Sequence, residues 1–124
     1  MSFVFKDDIY VGKSQRKRGG FVDEERNVTL VGHSRNSSGI QYDYFIFQDE
    51  IFELSKREFH ENGKTIYEFS ALSRVRSLPI FQENIDDIRV LIKEAVLAEQ
   101  EWLNAQLPKP FEFSPDRYIF QFTF

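Results

Sequence analysis

Asp43 is the residue of this sequence whose type and setting come closest to those of a general base. It stands between Tyr42 and Tyr44 in "IQYDYFIF", a stretch that is otherwise apolar and rich in β-branched and aromatic residues. If the strand face that carries it is buried, its pKa rises, and it could act as a base in a cavity between a sheet and a helix. A single carboxylate is not a mechanism, so we favour the simpler interpretation of a solvated strand end or a salt bridge to a nearby arginine such as Arg35.

The two histidines provide no catalytic constellation. His33 precedes Ser34 and so places a base beside a nucleophile, but neighbouring residues of a strand point to opposite faces. His60 begins "HENGK", which departs from the metalloprotease pattern HExxH. The chain has no cysteine, and no spacing of histidine and carboxylate indicates a metal site. We therefore expect no metal, no cofactor and no catalytic residue, with His33 and Asp43 kept as candidate pocket residues.

A basic segment, "KSQRKRGG", spans residues 13–20. Its four cations could bind phosphate, and the paired glycines would let backbone N–H groups approach a ligand; the cations are Lys13, Arg16, Lys17 and Arg18. No helix follows the glycines, so the segment matches neither a P-loop nor a dinucleotide-binding motif. Aromatic residues that could stack on bases are not interleaved with the charges. Contact with an anion or with a partner protein remains open, as does a purely hydrated loop.

The charge of the residues outside this segment indicates whether a nucleic acid or a protein is the favoured partner. The net charge is −4, and because residues 13–18 contribute +4, the other positions together carry −8. An acidic body repels a phosphate backbone and attracts basic proteins, so nucleic-acid binding is disfavoured. We expect acidic residues around the apolar stripe of a predicted helix to contact the partner; they are Glu83, Asp87, Glu94, Glu99 and Glu101.

The elements that position these residues follow from hydrophobic periodicity. We predict one domain over residues 1–124 with an α+β fold: a mostly antiparallel sheet of five to seven strands, one long helix of the C-terminal half packed on a face, and a final strand. The firmest local prediction is a hairpin with the turn Asn62–Gly63, because both residues accept positive φ. The expected register of this hairpin pairs Glu61 with Lys64, Phe59 with Ile66 and Arg57 with Glu68.

The helix is predicted to begin after Asn84, with Asn84 as N-cap and Asp87 as its partner in a short capping box. An apolar stripe follows at helical spacing and consists of Ile88, Leu91, Ile92, Ala95, Ala98, Trp102 and Ala105. Pro108 and Pro110 end the helix. The segment "RYIFQFTF" alternates aromatic with other residues, which predicts a half-buried strand.

The sequence favours a small binding protein over an enzyme. No signal peptide and no apolar stretch long enough for a membrane helix is evident, so we expect a cytoplasmic protein without membrane contact, either a monomer or a homodimer. The leading hypothesis is a protein-binding module, in particular an immunity or inhibitor protein that neutralises a basic toxin or enzyme. The first alternative is a small-molecule binding protein or isomerase-like enzyme with a pocket between sheet and helix. The second alternative is nucleic-acid binding through the basic loop 13–18.

Overall fold

The structure is a computed structural model that describes residues 2–12, 17–35 and 40–124. Within these residues the chain forms seven strands: β1 (Val4–Ile9), β2 (Arg18–Asp23), β3 (Val28–Arg35), β4 (Gln41–Phe47), β5 (Glu50–Glu61), β6 (Lys64–Ala71) and β7 (Tyr118–Thr123). Three helices lie between β6 and β7: α1 (Ser73–Arg76), α2 (Pro79–Glu83) and α3 (Ile85–Ala105). The predicted α+β fold, with its long helix and final strand, is confirmed.

The seven strands form one sheet whose spatial order is the order of the chain. β1 to β6 form an antiparallel meander. β7 is parallel to β6, because the three helices carry the chain back to the end of the sheet at which β6 begins. The meander follows from local turns, whereas the parallel pairing of β7 depends on this long crossover.

The β5–β6 hairpin has the predicted register. Glu61 pairs with Lys64, Phe59 with Ile66 and Arg57 with Glu68. Asn62 and Gly63 have φ values of 52° and 75°. Both central residues are thus left-handed, as the two-residue turn requires.

One face of the sheet, here called the inner face, packs against α3 and forms the core. Its strand residues include five fully buried side chains, namely Phe45, Phe52, Leu54, Tyr67 and Phe69. The predicted apolar stripe of α3 faces these side chains from Ile88 to Trp102. Trp102 is half-buried, and Ala105 is exposed. Alternation in the strands and helical spacing in α3 therefore meet in one aromatic core.

Asn84 precedes α3 as predicted, but its side chain does not cap the helix. Its Nδ2 donates to the Ile80 carbonyl at 2.8 Å, because α2 ends immediately before Asn84 and leaves that carbonyl within reach. The predicted capping hydrogen bond is therefore wrong, although the position at which the helix begins is right.

Gly19 and Gly20 belong to β2 and not to a loop. A Cβ on Gly20 would lie 2.8 Å from the Leu30 carbonyl oxygen and 2.8 Å from Val31 Cβ. Glycine at this position is required for the close approach of β2 to β3. Both glycines thus lie within a strand, and the sequence pattern had already matched no phosphate-binding motif at this position.

Candidate functional site

A charged group is buried in the inner face where α3 crosses the sheet. Lys56 of β5 is only 7% exposed, and its Nζ lies 3.9 Å from Asp43 Oδ2 and 3.9 Å from Glu99 Oε1. The ammonium also lies over the ring of Tyr67, 5.2 Å from its centroid. The Tyr67 hydroxyl donates to Glu58 Oε1 at 3.4 Å. We call this set the Lys56 cluster, and it comprises Asp43, Lys56, Glu58, Tyr67 and Glu99.

Burial is the largest influence on the pKa of two cluster carboxyls, Asp43 and Glu99. It raises the pKa of Asp43, and the charges of Lys56 and His33 oppose that rise only in part. Burial likewise raises the pKa of Glu99 against the opposing effect of Lys56, and nearby Asp43 adds to the rise. At 3.9 Å the charges attract one another through space without a direct hydrogen bond. The cluster thus joins helix and sheet electrostatically.

The sequence analysis singled out Asp43 and Glu99 of this cluster but not Lys56. The strand face that carries Asp43 is buried, with 4% of the residue exposed, so a solvated strand end does not describe it. Lys56 was not singled out, because a lysine in an alternating strand is normally solvent-facing. Glu99 continues the series Ile88, Ile92 and Ala95 at spacings of four, three and four, which places it on the core side of α3.

The five acidic residues expected to contact a partner do not share one surface. Glu99 faces Lys56, and Glu83 ends the separate helix α2. Asp87, Glu94 and Glu101 follow one another at intervals of seven residues and lie along one exposed side of α3. We call these three the acidic row.

Arg26 connects the acidic row to the sheet. Its guanidinium binds Glu94 and, through Nε, donates to Asp23 Oδ2 at 2.6 Å. The Arg26 backbone N–H donates to Asp23 Oδ1 at 3.1 Å, which closes the turn between β2 and β3. Arg26 and Asp87 also line a surface hollow of about 390 Å³. The acidic row is therefore partly neutralised by a residue of the same chain.

The opposite face of the sheet, here called the outer face, carries a second charged group. The His33 ring stacks on Tyr44 with centroids 3.8 Å apart and an interplanar angle of 14°. His33 Nε2 lies 3.1 Å from Glu53 Oε2, and Arg74 Nη2 lies 3.9 Å from Glu53 Oε1. Glu53 thus lies between His33 of β3 and Arg74 of α1.

Two hollows flank Glu53 on this face. The larger, of about 410 Å³, is lined by Tyr44, Ile51, Glu53, Arg74, Val75 and Leu78. The smaller, of about 180 Å³, is lined by Ile40, Tyr42, Glu53, Ser55, Ser70 and Leu72. We call the residues of the two hollows, together with His33, the Glu53 surface.

The Glu53 surface exposes apolar side chains. Ile51 is 43% exposed, Leu72 52% and Leu78 39%. Tyr44 lies directly opposite Glu53 across the β4–β5 ladder, and Ile46 lies opposite Ile51. Ile51 and Leu78 line the larger hollow and Leu72 lines the smaller one, so the two hollows adjoin at Glu53, which lines both.

The structure separates the two candidate pocket residues. Asp43 lies on the inner face in the Lys56 cluster, whereas His33 stacks on Tyr44 of the outer face. The strand register shifts between Gly32 and Ser34, at the position of His33. His33 and Asp43 therefore do not form one site, and His33 belongs with the Glu53 surface.

Of the four basic residues in the segment 13–18, Lys13 and Arg16 lie outside the described residues. Lys17 is exposed. Arg18 begins β2, and its Nη1 donates to the His33 carbonyl at 3.1 Å. Arg18 thus supports the β2–β3 pairing with its side chain.

The described residues contain no group of three or more histidine and carboxylate side chains placed to hold a metal ion. In the same part of the chain, no helix combines the length and apolar composition that crossing a membrane requires. No family model, no curated protein and no solved structure matches the chain.

Proposed function

We propose that this protein acts by binding another protein through the Glu53 surface. The observation that carries the proposal is that two hollows with exposed apolar side chains, Ile51 and Leu78 in one and Leu72 in the other, share the Glu53 carboxylate in their lining. Exposed apolar patches with a polar rim typically mark interaction sites. Tyr44 and Arg74 add the residue types that are enriched at the centres of protein interfaces.

The geometry of the two hollows favours a polypeptide partner. Both are lined by side chains of the outer face, and Glu53 lines both of them. Alternate side chains of an extended segment project to the same side about 7 Å apart, so a partner can place two of them in neighbouring hollows. Glu53, held by His33 and Arg74, would then contact the partner between its two anchoring side chains.

Charge supports a basic partner. The net charge of −4 and the acidic row on α3 would accelerate encounter with a positively charged protein. The specific role we propose is that of an inhibitor or immunity protein that neutralises a basic toxin or enzyme. The support for this role is charge, whereas the support for protein binding is the Glu53 surface.

Paired variants test the surface. Ile51→Asp places a charge in the larger hollow, and Val90→Asp makes the same kind of change on α3, where Val90 is 52% exposed. Wild type and both variants, each checked for an unchanged circular dichroism spectrum, serve as baits in a native lysate of the source cells. We expect a protein that wild type and Val90→Asp retain and Ile51→Asp loses. A partner lost only by Val90→Asp would place the interface on α3, and a partner set unaffected by Ile51→Asp would contradict the proposal.

A second candidate function is small-molecule binding in the larger hollow. Its volume of about 410 Å³ is within the usual range of about 300–1,000 Å³ for ligand sites. Tyr44, Glu53 and Arg74 supply an aromatic face and both signs of charge. A ligand from a panel of small amines and carboxylates should raise the Tm of the wild type but not of Leu78→Trp, in which the larger side chain fills the hollow. A panel without effect on the wild type, beside a protein partner lost by Ile51→Asp, would decide for protein binding.

A further inference from the structure

The two edges of the sheet have opposite chemistry. β1 and β7 are the edge strands. β1 carries three charged residues, Lys6, Asp7 and Asp8, and its register is irregular between Lys6 and Ile9. β7, with the sequence YIFQFT, contains no charged residue, no proline and no glycine.

This contrast matters because an edge strand offers unpaired backbone groups to any other strand. Charged residues and bulges are the usual protection against such pairing, and β1 has both. Main-chain pairing of β7 with the described residues involves β6 alone. The side chain of Arg89 binds the Phe124 carbonyl, just beyond the end of the strand. Among the described residues, no strand pairs with the other side of β7, and the Phe113 ring contacts Tyr118 at one end with centroids 6.0 Å apart.

The apolar layer of the inner face reaches this open edge. Phe69 stacks on Phe122 with centroids 6.0 Å apart, and Tyr67 stacks on Phe120 at 5.7 Å. The β6 members of these pairs are fully buried, whereas Phe120 and Phe122 are only half-buried. The backbone of α3 comes closest to β1, β2 and β3, in the half of the sheet away from β7. A further strand beside β7 would bury the area that Phe120 and Phe122 still expose. Burial of apolar area is favourable by about 25 cal/mol per Å².

We propose that β7 pairs with β7 of a second copy of this chain, antiparallel and centred on Gln121. This register places Phe120 opposite Phe122 of the second copy on the inner face, and Ile119 opposite Thr123 of the second copy on the outer face. Aromatic side chains then meet aromatic side chains, and no charged group is brought to the new interface. A second copy fits better than a charged partner, because the strand is neutral and the pairing is self-complementary under a two-fold axis. The site is distinct from the Glu53 surface, so the two proposals stand independently.

The two-fold axis makes a charge-swap experiment decisive. Gln121 is exposed and would meet its own copy at the centre of the interface, so Gln121→Lys brings two like charges together. Analytical ultracentrifugation of the full chain should show a dimer for wild type and for the conservative Gln121→Thr, and monomers for Gln121→Lys and for Gln121→Glu. An equimolar mixture of the lysine and glutamate variants should restore a dimer.

Each other outcome overturns the proposal. A monomeric wild type excludes pairing with a second copy. A dimer of Gln121→Lys as stable as that of the wild type would place the interface elsewhere on the molecule. Monomers in the lysine and glutamate mixture would exclude the register centred on Gln121. Unchanged circular dichroism spectra of the variants exclude misfolding as the cause of dissociation, while loss of the dimer contribution is expected to lower their Tm.

Discussion

Glu99 of the long helix lies 3.9 Å from Lys56 of the sheet, and Lys56 lies 3.9 Å from Asp43 on the neighbouring strand. The helix positions that precede Glu99 on the same face, Ile88, Ile92 and Ala95, are fully buried and apolar. The contact between α3 and the sheet therefore changes from apolar to ionic along the helix. Lys56 therefore supplies the counter-charge for both carboxylates.

Replacing Lys56 with methionine should destabilise the protein. The change leaves Asp43 and Glu99 without their counter-charge, and breaking a buried pair typically costs 3–5 kcal/mol. Because the Glu99 side chain is 35% exposed, we expect the lower end, about 3 kcal/mol at neutral pH. Urea unfolding of wild type and Lys56→Met measures the difference. Adding Asp43→Asn and Glu99→Gln should recover most of the loss, and a triple variant as unstable as Lys56→Met would show that the lysine acts by packing alone.

Stability should fall as pH rises through the range in which Asp43 ionises. The folded-state pKa of Asp43 is raised by burial above the unfolded value of about 3.9. The favourable contribution of its neutral form is complete below that unfolded value and is lost as pH rises through the folded pKa. Urea unfolding across an acid-to-neutral pH series should show this loss in wild type and a smaller slope in Asp43→Asn.

Glu99→Gln is the matched control for Asp43→Asn. Glu99 also has a raised pKa, mainly from burial, so its pH effect has the same sign. Each single variant should reduce the slope of the free energy of unfolding against pH, and the double variant should reduce it further. A pH profile of Asp43→Asn that coincides with that of the wild type would contradict ionisation of Asp43 as the cause.

Asp23 should show the opposite pH dependence. Burial favours its neutral form, but hydrogen bonds from the side chain and backbone of Arg26 outweigh that effect and lower its pKa. The stability it contributes is present above the unfolded pKa of about 3.9 and is lost as pH falls through the folded pKa. At neutral pH, Asp23→Asn should cost roughly 1–3 kcal/mol, because a charge-assisted contact in a buried turn is weakened.

The matched control for Asp23 is the surface pair of Lys6 and Glu24. Glu24 is exposed, so Glu24→Gln should change the free energy of unfolding by less than about 1 kcal/mol. The difference between wild type and Asp23→Asn should also narrow in acid. If it stayed constant down to the most acidic condition at which the protein folds, the ion pair with Arg26 would not be the source of the stability.

Local patterns in the sequence predicted most of the fold, and non-local contacts explain what they missed. The register around Asn62–Gly63 is confirmed because a two-residue turn fixes both flanking strands. The parallel pairing of β7 with β6 was not predicted, because the helices between them separate the strands widely in sequence.

The candidate sites were harder to predict from the sequence than the fold. Burial of Lys56 follows from α3 crossing β5, which periodicity within either element does not reveal. The approach of Arg74 to Glu53 likewise depends on the position of α1 beside β5. The placement of Glu99 was available in its helical spacing, since its distance from Ile88 is a near-integer number of turns.

Two alanine substitutions in the sheet should have opposite effects on stability. A Cβ on Gly20 would lie 2.8 Å from the Leu30 carbonyl oxygen, and this backbone atom cannot move without disturbing the β2–β3 ladder. A Cβ on Gly32 would meet only Asp43 Oδ1, at an ordinary 3.5 Å. We expect Gly20→Ala to destabilise by about 1–3 kcal/mol through overpacking. Gly32→Ala should be neutral or stabilise by up to about 1 kcal/mol, because alanine loses less conformational entropy on folding. Thermal unfolding of the two variants checks the signs, and a Gly20→Ala protein as stable as the wild type would mean that β2 does not require glycine for its approach to β3.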